Sequence, residues 1–132
     1  MAKKILILSE PFAPPSFLPR ITNLCKNLDK NKWTPEIFTE KIKDVNYTTD
    51  LCPVFQMPYY NSNNKIYWAI KWVLHFLFQY KDFKLQKFIE NTTNVNDYDL
   101  IFCSISNLFP ITTAARLSKK YNKPLIIDLR DI

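Results

Sequence analysis

Two short stretches share one grammar: Ser16 to Thr22, SFLPRIT, and Asn107 to Thr113, NLFPITT. Each runs from a residue able to cap a helix, through two apolar residues and a proline, into a helical pattern. A helix start presents unpaired N–H groups and the positive end of a dipole, so an anion is the ligand it favours. Arg20 adds a guanidinium that can hold a phosphate in bidentate fashion. Ser106 or Asn107 can cap the second helix. Both stretches are equally what any well-formed helix start requires. Other chemistry is scarcer. Cys25, Cys52 and Cys103 are widely spaced, and His75 is the single histidine, so no metal-ligand pattern exists. The cysteines read as buried, reduced thiols. Zero glycines rule out a glycine-rich phosphate loop and a dinucleotide fingerprint. Left-handed turn positions must then fall to residues such as the asparagines clustered between elements. A net charge of +6 suits an anionic partner or simply a solvated basic surface.

The elements that position these residues follow from periodicity. Ile5 to Leu8 is an apolar run too short for a helix and fits a strand buried on both faces. After the proline-rich turn at Pro11, Pro14 and Pro15, Ser16 caps a helix whose apolar face is Ile21, Leu24, Cys25 and Leu28. Asn31 is the expected left-handed residue at its end. Trp33 to Thr39 reads as a second strand, Lys41 to Asp50 as loop, and Leu51 to Met57 as a short third strand closed by Pro58. Tyr98 to Ser104 is a second buried strand and Leu125 to Leu129 a third clear parallel strand, separated by a helix with Ile111, Ala114, Ala115 and Leu117 on its apolar face. The pattern predicts one α/β domain over residues 1–132, an open, mostly parallel Rossmann-like sheet with helices on both faces. Ligands in that architecture sit beyond the carboxyl ends of the strands, so the Glu10–Arg20 loop borders the expected site.

Ile66 to Tyr80, IYWAIKWVLHFLFQY, is the most apolar stretch, with Asn61, Ser62 or Asn63 as candidate caps. Lys71, His75 and Gln79, spaced by four, form one narrow polar stripe. The stretch is shorter than the roughly 20 residues that cross a bilayer. Core packing is its expected fate, contact with a membrane surface the alternative. Phe83 to Asn91 continues helically, with Leu85, Phe88 and Ile89 on one face. No Pro or Gly marks whether the two helices are one. The N-terminus lacks the long apolar run of a signal peptide, and a cytoplasmic protein is expected, with peripheral contact at the inner face of the membrane as the variant.

Three stretches together resemble the N-terminal domain of GT-B-fold glycosyltransferases of family 4. KILILSEPFAPPSFLPRITNLCKNL is similar to that family's opening strand, proline loop, arginine and helix. NKWTPEIFT looks like its second strand, and YDLIFCSISNLFPITTAARLSKKYNKPLIIDLRD like its stretch ending in D-x-R-D. They cover about half of the chain in the family's order. The resemblance implies a retaining transferase that moves a sugar from a nucleotide sugar to a glycan, lipid-linked or polysaccharide-precursor acceptor. In such enzymes the N-terminal domain holds the acceptor, while a second domain binds the nucleotide and carries paired glutamates. No such domain falls within these residues, so the chain is expected to be the N-terminal half of a GT-B fold, inactive alone. No cofactor and no metal is implied.

Carried over by position, Ser16, Phe17 and Arg20 belong to the loop and helix start facing donor phosphates and acceptor. Where the family often has two glycines, this chain has Pro15, Ser16 and Phe17. Ser104, Ser106 and Asn107 follow as residues of the fourth-strand loop, suited to hydrogen-bonding sugar hydroxyls or to capping. Arg130 and Asp131 fall beside the reacting sugar: Asp131 to orient an acceptor hydroxyl, Arg130 to offset phosphate charge. A structural ion pair is the plainer reading of those two. The competing function is a stand-alone α/β binding or regulatory module for an anionic ligand. Glu40 stands where a dinucleotide fold keeps its ribose-binding acid, a coincidence without the glycines. Nucleic acid is not an expected partner, because the aromatics lie in apolar runs rather than among Lys and Arg. The final strand, left as an edge, could pair with a second copy.

Overall fold

The run Ile5–Leu8 becomes the middle of the central strand, β1 (Lys3–Ser9), in the computed structural model, which describes residues 2–9, 19–40, 51–58, 64–105 and 109–129. Parallel neighbours flank it on both sides, β2 (Trp33–Glu40) and β4 (Leu100–Ile105). Outside these lie β3 (Val54–Met57) and β5 (Leu125–Leu129), giving the order β3-β2-β1-β4-β5 with every pairing parallel. Connections run outward in one direction from β1 to β3 and in the other from β4 to β5. The topological switch therefore falls between β1 and β4. This is an open Rossmann-like α/β sheet.

Strand alternation divides the core in two. Ile5, Ile7 and Ile37 meet Ile21 and Cys25 of α1 (Pro19–Asn27), together with Cys52. On the opposite face Leu6, Leu8, Phe38, Ile101 and Cys103 pack against Leu85 and Ile89 of α3 (Tyr80–Thr92) and Ala114 and Leu117 of α4 (Ile111–Tyr121). All three cysteines are buried and none is in a disulfide. Burial and a hydrogen bond with Cys52 hold the Cys25 thiol far above its ordinary pKa, the hydrogen bond being the larger cause.

Several local expectations are corrected. The turn after α1 is not built on a left-handed Asn31: the Asp29 carboxylate accepts from the Asn31 amide at 3.0 Å, and Trp33 N donates to the Asp29 carbonyl. The helix α2 (Lys65–Phe78) is capped by Asn64, whose side chain accepts from Ile66 N at 2.9 Å, one residue beyond the expected candidates. Gln79 separates α2 from α3 by taking a left-handed conformation (φ 54°), a position glycine would ordinarily occupy. Asn122 does the same after α4 (φ 53°), as expected of an asparagine in this glycine-free chain. The loop at residues 41–50 and the capping candidates Ser16, Asn61, Ser62 and Asn63 lie outside the described residues.

The largest departure concerns α2, which has no buried residue. Ile66, Ile70, Trp72, Val73, Phe76, Leu77 and Phe78 are 45–71% exposed. Core packing, the expected fate of this stretch, does not occur. Its half-buried positions are Tyr67, Lys71, Leu74 and His75, so the polar stripe faces the body and the apolar face points away.

On α4, Thr113 takes the buried place expected of Ala115, which is exposed. The reason is a carboxylate. Asp82, only 2% exposed, accepts from the Thr113 amide at 2.9 Å and from its hydroxyl at 2.8 Å. Pro110, at the N-cap position, makes no side-chain cap bond, so α3 supplies the cap that α4 lacks in its own sequence. Replacing Asp82 with alanine should lower the unfolding free energy by about 2–3 kcal/mol, the scale of hydrogen bonds to a charged group. Urea unfolding would show a lower midpoint at unchanged slope, with Asp82→Asn milder because an acceptor remains.

At the amino end of the sheet the Tyr98 hydroxyl donates to Glu36 at 3.0 Å and lies 3.3 Å from Thr93 Oγ1. Burial, ahead of the neighbouring Glu36 charge, pushes its phenol up to about 12. The unfolded chain releases that proton near the ordinary tyrosine value of about 10, so stability should fall as pH rises from there through 12. Tyr98→Phe should flatten this alkaline limb in unfolding curves measured against pH.

Candidate functional site

The carboxyl end of the sheet turns polar on the α1 face. Register aligns Gln56 with Thr39, Ser9 with Ser104, and Ser104 with Asp128. The last β1–β2 pair, Leu8 with Phe38, brings Ser9 and Thr39 to the next step. A polar row thus crosses all five strands, where Ile5, Ile7 and Ile37 held the same face one or two steps earlier. Ser9, Thr39 and Ser104 are fully buried, and Ser104 Oγ donates to Asp128 Oδ2 at 3.1 Å. Buried hydroxyls must find partners, and Ser104 finds its partner across the sheet in Asp128.

Ser104 is therefore a strand residue tied to β5 rather than a member of the loop. Arg20 is the second residue of α1. Ser16, Phe17, Ser106, Asn107, Arg130 and Asp131 lie outside the described residues. What can be said of the strands before them is direct. β1, β4 and β5 are consecutive neighbours, they run parallel, and they end at one edge of the sheet at Ser9, Ile105 and Leu129. Expected anion binding by the start of α4 meets a competitor, because the Asp82 carboxylate already bonds Thr113 there.

A second feature was not foreseen from the sequence. Beyond the ends of β2 and β3, under α2 and α3, lies a cavity of about 310 Å³. Lys71, Lys81 and Lys84, with Tyr67, Tyr80 and Trp72, give it a cationic and aromatic lining. Lys71 Nζ donates to the Tyr80 hydroxyl at 2.8 Å and lies 4.2 Å from the centre of that ring; Lys84 approaches the same ring at 5.1 Å. Glu40, at the end of β2, is engaged by Lys81 at 3.3 Å. His75 sets its ring edge-on to Phe109 at 6.3 Å, and its buried Nδ1 finds no hydrogen-bond partner among the described residues. Burial works against the Lys71 charge, but hydrogen bonds with Tyr80 and Tyr67 outweigh it and raise its pKa above the usual lysine value. The same bond from Lys71 lowers the Tyr80 phenol, burial opposing it. The wall can hold an anion by charge and a sugar or apolar ring by its aromatic faces.

No family model, curated protein or solved structure matches the chain.

The four-residue spacing of Lys71 and His75, extended one turn back to Tyr67, was the signal for this cavity. Spacing names the stripe without its direction, and burial turns Tyr67, Lys71 and His75 toward the body. No helix among the described residues is long and apolar enough to cross a membrane, and they contain no cluster of His, Cys, Asp or Glu suited to a metal. In an alkaline titration followed by phenolate absorbance, the protein should show a tyrosine ionising below the ordinary value of about 10. Tyr80→Phe should abolish that step, and Lys71→Met should return it to the ordinary range.

Proposed function

We propose that this domain is the acceptor-binding, N-terminal half of a retaining glycosyltransferase that uses a nucleotide sugar. One observation carries the reading. The three groups of residues that the resemblance assigns to the site come in the chain at or after the ends of β1, β4 and β5, and those strands are neighbours ending at one edge, on either side of the switch point. A random assortment of family-like segments has no reason to meet in this way, whereas an α/β site is assembled from such strand ends. The cavity beside that edge adds lysines and aromatic rings, suited to a phosphate-bearing, sugar-containing acceptor.

On this reading Arg20 and Arg130 hold phosphate charge, and Asp131 orients the acceptor hydroxyl for attack on the donor sugar. Ser16, Phe17, Ser106 and Asn107 border the sugar. Ser104 acts indirectly, by tying β4 to β5 through Asp128 and so keeping the two strand ends in step. The nucleotide would be held mainly by a second domain.

Calorimetric titration with a water-soluble, short-chain prenyl diphosphate sugar tests this. That compound should bind, and a nucleotide sugar should bind at least about tenfold more weakly, a difference of roughly 1.4 kcal/mol. Arg130→Ala and Lys71→Met should each weaken the first interaction by a similar factor. Equal affinity for the sugar compound and inorganic pyrophosphate would favour the non-catalytic anion-binding module instead, and no binding would end the proposal.

A further inference from the structure

The outward face of α2 inverts the usual arrangement of a surface helix. Soluble proteins turn the apolar stripe inward and the polar stripe to water. Here Tyr67, Lys71 and His75 face the body, while Ile66, Ile70, Val73, Phe76 and Leu77 occupy the opposite side of the helix and stand exposed. Trp72 stacks on Phe76 one turn away, ring centroids 5.5 Å apart and nearly parallel, with both side chains still exposed. So much apolar surface on one element marks a contact surface rather than scattered exposed residues.

Three observations select its occupant. The first is charge. From Lys65 to Lys87 the chain carries five lysines and one acid, Asp82, which is buried against Thr113. The exposed charge of α2 and α3 is thus wholly positive up to Lys87, and a second copy would bring like charges together around the same patch. The second is composition: Trp68 and Trp72 belong to the residue types that settle at the boundary between lipid and water. The third is length. Fourteen residues rise about 21 Å, short of the roughly 30 Å hydrocarbon core, so the helix can lie in the interface but cannot cross it.

We infer that α2 is an in-plane membrane-binding helix that seats its Ile66–Phe76 face in an anionic lipid surface, with Lys65 of α2 and Lys84 and Lys87 of α3 drawn to the headgroups. The inference rests on the geometry and charge of α2 and does not depend on the transferase reading. Insertion needs no rearrangement of the core, because no α2 residue is buried in it. Each lysine near an anionic surface adds to the attraction, which salt weakens.

Vesicle sedimentation of the whole chain provides the test, using phosphatidylcholine alone and phosphatidylcholine mixed with roughly one third phosphatidylglycerol. The protein should pellet with the mixed vesicles at low salt and be largely released at about 0.5 M salt. Tryptophan emission should shift to the blue and be quenched by brominated lipid in a Trp33→Phe background, which leaves Trp68 and Trp72 as reporters. The double variant Ile70→Glu, Phe76→Glu should lose at least about tenfold in partitioning. Both positions are exposed, so its circular dichroism and urea midpoint should remain those of the parent. Lys84→Glu with Lys87→Glu should weaken binding while leaving the apolar face intact. Retention in the supernatant with mixed vesicles at low salt would overturn the inference. So would equal binding to neutral vesicles, or a concentration-dependent dimer, abolished by the α2 double variant, that accounts for the tryptophan shift without lipid.

Discussion

Two carboxylates of α3 tie it to α4 on one side of the sheet: Glu90 meets Lys120 and Tyr121 near the surface, and Asp82 is the buried one. Asp82 leaves the first turn of α3 and bonds the amide and hydroxyl of Thr113 in the first turn of α4. Its burial would be costly if it stood alone. Two hydrogen bonds and the positive end of the α4 dipole offset that cost. The geometry then propagates. With α4 set by β4 and β5, the Asp82 contact joins the packing of Leu85 and Ile89 in placing α3, and α3 carries α2, which contributes nothing to the core. The cavity beneath α2 and the apolar face above it both depend on this chain of supports.

The two faces of the sheet divide the labour differently. Toward α1, the apolar positions of β1 and β2 give way to a row of hydroxyls, an amide and a carboxylate at the strands' carboxyl ends. Toward α3 and α4 the buried positions are apolar, from Leu6 to Ile105, with Glu36 and Glu40 of β2 as the charged residues at either end of Phe38. Polar character is therefore concentrated where the connecting loops leave the sheet, at the edge where an α/β fold gathers its ligands. The opposite, amino-terminal edge is closed by structural pairs: Lys4 with Glu36 at 3.0 Å, and Tyr98 with the same Glu36.

An inverted helix also changes what Lys71 can do. On an outward face it would be a hydrated point charge. Turned inward, it is clasped between the Tyr67 and Tyr80 rings, at 5.2 and 4.2 Å. Its charge is held in place instead of wandering on a flexible stem. A fixed cation beside aromatic rings is the arrangement that recognises an anion attached to a ring or a chain, which joins the cavity to the acceptor chemistry proposed for the domain.

Strand identity was legible in the residues themselves. Ile5 to Leu8 is an apolar run of strand length, as a parallel strand buried by helices requires; Leu125 to Leu129 is another, although β5 is left largely exposed at the sheet edge. The alternation of strand and helix left open which strands are neighbours, and the sheet order places β1 beside β4. What the residues could not disclose was which face of a helix meets the protein. The Ile66–Tyr80 stretch is apolar over most of its circumference, so periodicity names a polar stripe without saying where it points. Only the αL turn at Gln79, which breaks the helix and folds α3 back under α2, makes that choice. The cap on α4 was hidden for the same reason: Asp82 and Thr113 lie thirty-one residues apart, and no local pattern announces a bond across that span. Local propensity and burial period determined the elements. Long-range contacts decided orientation, because the free energy that selects a helix face comes from neighbours the sequence brings together only on folding.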